Sequence, residues 1–240
     1  MADSKWLDKE GLEYYHGKVK AELDKKVDAV EGKGLSTNDF SDEYKKIVDD
    51  LNYKPMAINS FTNNVNTVEM GSTVNDVTLT WAYNKTPKSA RLDDAPIEAS
   101  ATSKVLSSLG LKANKTWTLS ATDERDKTVS KTTSVTFLNG VYWGIGDASP
   151  TMDSAFILTL TKGLQGSKAK TFTVNAGAGK HIYYAVPTRY GTCAFNVGGF
   201  DGGFTKVETI EFTNASGYKE NYDIYKSDNA NLGNTTVKVS

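Results

Sequence analysis

Few side chains in this 240-residue chain could perform covalent chemistry. Two histidines, His16 and His181, and a single cysteine, Cys193, are the candidate bases, ligands and nucleophile. They are scattered: His16 lies among Lys and Glu residues, and His181 precedes Ile182, Tyr183 and Tyr184 in a strand-like run. A zinc site needs clustered His and Cys ligands, and this spacing supplies none. His181 therefore reads as a half-buried, hydrogen-bonded strand residue, and Cys193 as a small core residue. No G-x-S-x-G occurs, so no serine sits in a nucleophile elbow. The run NAGAGKH at 175–181 has the lysine of a phosphate loop, but Val174 stands where the first glycine is required and His181 where Ser or Thr is required. Its glycines are expected to make a β-turn.

Paired carboxylates can do acid–base work or hold calcium. Asp93-Asp94, Asp123-Glu124 and Asp126 are the candidates, and they sit beside Arg91, Arg125 and Lys127. Hard-cation sites need several convergent oxygens, so these acids read as solvated turn charges. Asn84, Asn114, Asn214 and Asn234 each precede Ser or Thr by two residues; an Asn- and Thr-rich chain produces such sequons by chance. The remaining chemistry is non-covalent. Aromatic residues concentrate in the last hundred residues, and an exposed ring offers apolar area at low entropic cost to sugars or protein partners. Tyr190, Phe200 and Phe204 are the candidate binding residues, with core filling as the competing role of aromatics in strands. No catalytic residue, cofactor or metal is expected.

Composition agrees with a display or structural role. The chain is 38% hydrophobic and 24% charged, and 28 basic against 29 acidic residues leave a net charge of −1. That balance lacks the field that gathers nucleic acid. No apolar run approaches the roughly 18 residues of a spanning helix, and MADSKWLDKEGLEYY has none of the pattern of a secretory signal. Cys193, being alone, forms no internal disulfide.

Three zones position these residues. Residues 1–54 read as helical. Leu12, Tyr15, Val19, Leu23, Val27 and Val30 follow one another at steps of 3, 4, 4, 4 and 3, the period of one helix face. Such a stripe must be buried against something: its own domain, or copies of the chain in a short parallel coiled coil whose heptad His16 and Lys26 interrupt. Gly32 and Gly34 end this helix, and Ser41 is expected to cap a second one, whose face carries Tyr44, Ile47 and Leu51 after a stapling Phe40. After Lys54-Pro55 the texture changes to short alternating runs. VTLTWAY points Val77, Leu79, Trp81 and Tyr83 to one side and Thr78, Thr80 and Ala82 to the other. TWTLSATDERDKTVSKTTSVTF reads as a hairpin, SKVLSSLGL as a short helix or a crossover strand, and SAFILTLT as a strand. The fold class is mainly β: a short N-terminal helical segment followed by two β-sandwich domains, residues 55–139, the first Ig-like, and residues 140–240, the second carrying the recognition surface.

One segment carries a resemblance. VDAVEGKGLSTNDFSDEYKKIVDDL, over residues 27–46 above all, resembles a module recurrent before the fibre, baseplate or appendage domains of phage and prophage tail proteins. TLTWAYNKTPKSARLD and TWTLSATDERDKTVS resemble a bacterial or phage Ig-like domain, and the stretch from KHIYYAVPTRYG to SDNANLG resembles terminal β domains of such proteins. The resemblance implies a virion component rather than an enzyme, made in the host cytoplasm and released by lysis, with other virion proteins as partners and a host-surface glycan or protein as a further one. No nucleic-acid partner and no membrane insertion are implied. Symmetric assembly, a trimer favoured, would bury the apolar stripe. The alternative is a bacterial surface or secreted carbohydrate-binding or adhesion module.

Overall fold

The computed structural model describes residues 8–24 and 42–240, with residues 42 and 43 described by their backbone. Val27, Val30 and the expected cap at Ser41 lie outside the described residues. The chain divides into two units, Met1–Pro55 and Met56–Ser240.

The first unit contributes helices α1 (Lys9–Asp24) and α2 (Asp42–Asn52). Asp8 caps α1: its carboxylate accepts the Gly11 amide at 2.7 Å, satisfying one donor of the open first turn. No described side chain of either helix is buried.

The second unit is built from sixteen strands, one short α-helix and one 3-10 turn, Thr188–Tyr190. Its first half holds β1 (Ile58–Asn63), β2 (Thr67–Glu69), β3 (Val77–Tyr83), β4 (Ser89–Leu92), β5 (Ala95–Ile97), β6 (Ser103–Leu106), β7 (Lys115–Thr122) and the long β8 (Thr128–Gly146). One sheet has the order β1-β3-β6, and the facing one runs β5-β4-β7-β8. Read as A-B-E against C′-C-F-G, this is an immunoglobulin-type strand order, so SKVLSSLGL supplies a strand rather than a helix. The alternation of VTLTWAY emerges as expected: Val77, Leu79 and Trp81 meet Trp117, Leu119, Val135 and Phe137 in one core. Antibody domains join B to F with a disulfide; here both strands feed tryptophans into the shared core, Trp81 from β3 and Trp117 from β7.

The second half holds α3 (Ser154–Thr159), β9 (Thr161–Gln165), β10 (Lys170–Ala176), β11 (His181–Pro187), β12 (Phe195–Val197), β13 (Phe200–Asp201), β14 (Phe204–Thr213), β15 (Lys219–Ser227) and β16 (Gly233–Val239). SAFILTLT, expected as a strand, forms α3. Its apolar run has no strand alternation to enforce, and Asp153 caps it by accepting the Phe156 amide at 2.8 Å. The sheet β10-β16-β12-β13 packs on β14-β15-β11-β8 through Phe172, Phe195, Val237, Ile182 and Tyr184. Alternate residues of the same strands, Tyr183, Ala185, Tyr222 and Ile224, point to a third core closed by Ile157 and Leu160. Strand β11 is thus buried on both faces, a situation that continuous apolar runs serve.

The expected boundary between residues 139 and 140 falls inside β8. Val135 and Phe137 belong to the first core, and Val141 and Tyr142 to the second and third. One strand therefore runs through both sandwiches without a linker. Side chains reinforce the joint: Glu69 meets the Tyr142 hydroxyl at 3.2 Å and the Lys162 ammonium at 2.8 Å, and the Asn214 amide donates to the Met70 carbonyl at 2.7 Å. Gly71, at φ +89°, lies so close to Tyr218 that a Cβ there would approach the Tyr218 Cβ to 2.6 Å.

Candidate binding site

Strands β12 and β13 form a hairpin with a two-residue loop, Gly198-Gly199, at φ +58° and +96°. Two consecutive positive φ values make a tight turn matched to the twist of the strands, and glycine adopts them without strain. Gly202-Gly203, at φ +99° and +78°, release the chain into β14. The hairpin is so short that Phe200, facing Val197 across it, passes beyond the edge of the core and stands 82% exposed. An aromatic ring left in solvent between four glycines has no packing role.

On the other face of the same strands a polar row crosses the sheet. Asn196 pairs with Lys238 on β16 and with Asp201 on β13, and its amide donates to the Asp201 carboxylate at 2.7 Å. Val237 and Val239 point inward, so the period of two turns Lys238 outward. Asn196, Asp201 and Lys238, with Phe204, line a cavity of about 670 Å³. A second cavity, of about 320 Å³, is lined by Phe200, Val197, Asn229 and Leu232; Asp201 and Gly202 form a wall of both.

The three expected aromatics thus have different positions. Phe200 is free. Phe204 is half-buried with one face stacked on Phe195, ring centroids 4.3 Å apart, and gives the larger cavity an apolar wall. Tyr190 is half-buried against the second core, and its hydroxyl donates to the Gln165 carbonyl at 2.7 Å. Asn196, Asp201 and Lys238 were not singled out from the sequence. Alternation in AFNV and TVKV put Asn196 and Lys238 on an outer face, but only the register makes them neighbours.

The groups with covalent potential are held structurally. His181 Nδ1 lies 2.7 Å from the Ser227 carbonyl, and burial pushes the Cys193 thiol up to about 11, where the nucleophilic thiolate is scarce at neutral pH. The Cys193 amide donates to the Tyr225 hydroxyl at 3.2 Å. Asp123 is not the solvated turn charge expected: it is fully buried and accepts the amides of Arg125 and Lys127, each at 2.9 Å. Glu124 does face solvent, and its hydrogen bond from Lys85 at 2.8 Å holds its carboxyl below the ordinary range. The NAGAGKH segment is the expected turn, with Gly179 at φ +72° and its amide donating to Asn231. Among the described residues no group of three or more His, Cys, Asp or Glu side chains is placed to hold a metal ion.

The helical stripe keeps its expected spacing within the described residues. Leu12, Tyr15, Val19 and Leu23 on α1 are 61%, 64%, 42% and 66% exposed. On α2, Tyr44, Ile47, Val48 and Leu51 are exposed as well, a spacing of 3, 1 and 3 that gathers them on one side.

No family model and no curated protein sequence matches the chain. Among solved structures it is similar to the N-terminal eight Ig domains of the Down syndrome cell adhesion molecule (9% identity, TM-score 0.24, covering 76% of this chain and 26% of that one). It is also similar to an α-L-rhamnosidase from Dictyoglumus thermophilum (13% identity, TM-score 0.26, 76% and 24%) and to a chitinase from Bacillus thuringiensis (13% identity, TM-score 0.24, 98% and 37%). The chain spans less than two-fifths of each of these structures, and overlaps this slight transfer neither fold nor activity.

Proposed function

We propose that this protein is a non-catalytic structural component of a phage or prophage tail, of the fibre, baseplate or appendage type, whose helical arm joins copies of the chain or neighbouring virion proteins while its β unit displays a recognition surface. The observation that carries the reading is the apolar stripe: four large side chains on α1 and four on α2 are exposed, and covering apolar area stabilises by about 25 cal/mol per Å² removed from water. A homotrimer related by symmetry buries such a stripe in its own copies. The resemblance over residues 27–46 supplies the virion setting. A chain with one cysteine also suits folding in a reducing cytoplasm before lysis.

Multi-angle light scattering on the full chain tests the assembly role. The expected mass is three times that of the 26.1 kDa chain, and the triple variant Leu12→Asp, Val19→Asp, Leu23→Asp is expected to run as a monomer. A monomeric wild-type chain at micromolar concentration, in the absence of other virion proteins, removes self-assembly from the proposal. The projecting Phe200 supports a second reading, a bacterial surface adhesion or carbohydrate-binding module. Co-purification with virions rather than with the bacterial envelope decides between them.

A further inference from the structure

We propose that the hairpin formed by β12 and β13 and the two cavities beside it make a binding site for a neutral oligosaccharide. The proposal rests on the recognition role given above to the β unit and names the ligand of that surface.

Three features of the site fit a sugar better than another ligand. First, hydroxyl-rich ligands need donors and acceptors side by side. The row Lys238–Asn196–Asp201 supplies an ammonium, an amide and a carboxylate on neighbouring strands, about 5 Å apart from strand to strand. The hydrogen bond from Asn196 to Asp201 fixes both side chains in advance, so less rotamer freedom is lost on binding. Second, the C–H face of a pyranose needs an apolar surface. Phe204 provides it in the larger cavity, where stacking on Phe195 holds its ring still, and Phe200 provides it in the smaller one. Third, the local charges of Lys238 and Asp201 offset each other. A polyanion such as nucleic acid or a sialylated chain finds no net attraction there.

The size and arrangement point to more than one sugar unit. Both cavities, about 670 and 320 Å³, fall in the range of about 300–1,000 Å³ typical of small-ligand sites. They share the wall Asp201-Gly202, so a ligand crossing it meets Phe204 on one side and Phe200 on the other. The glycines serve this geometry through their backbone. A Cβ at Gly198, Gly199 or Gly202 would meet nothing within 4 Å, so close packing does not require them there, whereas their positive φ values do.

The test uses the full chain, labelled and applied to an array of immobilised neutral and sialylated oligosaccharides, alongside Phe200→Ala and Asp201→Ala. Both substitutions lie at exposed positions, and circular dichroism verifies that the variants fold. Retention on one or more neutral oligosaccharides is expected, weakened on the order of tenfold by each variant, the scale on which a well-placed contact counts. Wild-type protein retained on no neutral oligosaccharide, retained only on sialylated ones, or retained equally with both substitutions overturns the proposal. Light scattering on the same samples separates this result from the assembly role. A trimer that binds no sugar overturns the saccharide site alone, and a monomer that binds sugar overturns self-assembly alone.

Discussion

Leu12 and Leu23 on α1 and Ile47 and Leu51 on α2 stand in solvent, whereas Leu79 and Leu119 in the first sandwich and Ile182 and Ile224 in the second are fully buried. Both regions have regular hydrophobic periodicity. In the β unit the apolar faces that build the three cores find their counterparts in the same chain, down to β11, whose two faces feed two of them. In the helical unit the stripe has the right period and no buried member among the described residues. Periodicity therefore shows which face is apolar; it does not say what covers that face. A buried face and an exposed face can share one pattern, and perturbations that act on burial should separate them.

The largest separation is expected in alkali. Burial drives the phenols of Tyr142, Tyr184 and Tyr222 above their ordinary value of 10.0, and that of Tyr183 up to about 12. The unfolded chain loses these protons near pH 10 while the folded β unit retains them. Stability falls with rising pH wherever only the folded state holds the proton. The contribution is therefore intact below pH 10 and is lost progressively as pH climbs through the raised folded values. Cooperative unfolding of the β unit above pH 10, with tyrosinate absorbance appearing together with the loss of its circular dichroism, is the expected result. Gradual tyrosinate formation in a folded β unit would show the rings to be accessible and would blur the contrast.

Next in size is the core of the first sandwich. Leu119 is wholly buried between Trp117 and its neighbours. Leu119→Ala is expected to cost about 2–5 kcal/mol by lost transfer free energy and the cavity left behind, measured by urea unfolding. A smaller effect attaches to Asp123, whose buried carboxylate holds the turn between β7 and β8 through two amides. Asp123→Ala leaves those donors without it and is expected to cost about 1–3 kcal/mol. A neutral result at Asp123 would mean that water replaces the carboxylate, and that this turn, like the helices, is open.

How much of this was legible beforehand follows from the same contrast. VTLTWAY revealed strand, face and core together, because one buried face imposes a strict period of two. SAFILTLT misled, since a short apolar run fits a strand or a buried helix equally, and the decisive residue was the capping Asp153 just before it. The joint within β8 was misleading because Asn139-Gly140 has the residue types of a turn or linker, whereas the strand runs on through it, alternating up to Phe137 and buried without a break from Asn139 to Tyr142. At the candidate site, residue type identified Phe200, Phe204 and Tyr190 as a group but could not rank their exposure. The glycine pairs flanking Phe200 were the visible sign that it projects. Asp201 meets Asn196 within the local hairpin, but Lys238 reaches Asn196 only through the register of β12 on the sequence-distant β16, which local pattern does not carry.

The smallest stability effect is expected from the substitution chemically identical to the costly one. Leu23 lies on α1 and is already 66% exposed. Leu23→Ala removes little buried area, and alanine has the higher helix propensity, so urea unfolding of the β unit should stay within about 0.5 kcal/mol of wild type. Self-association should respond instead, because the deleted side chain sits on the stripe that assembly would cover. Light scattering across a dilution series is expected to show the variant dissociating at higher concentration than wild type. The pair Leu119→Ala and Leu23→Ala then sorts one deletion into two currencies, folding in the β unit and association in the helical unit. If Leu23→Ala instead destabilised the β unit by as much as Leu119→Ala, the stripe would be part of the fold of this chain, and the contrast between an adhesive and a self-sufficient unit would fail.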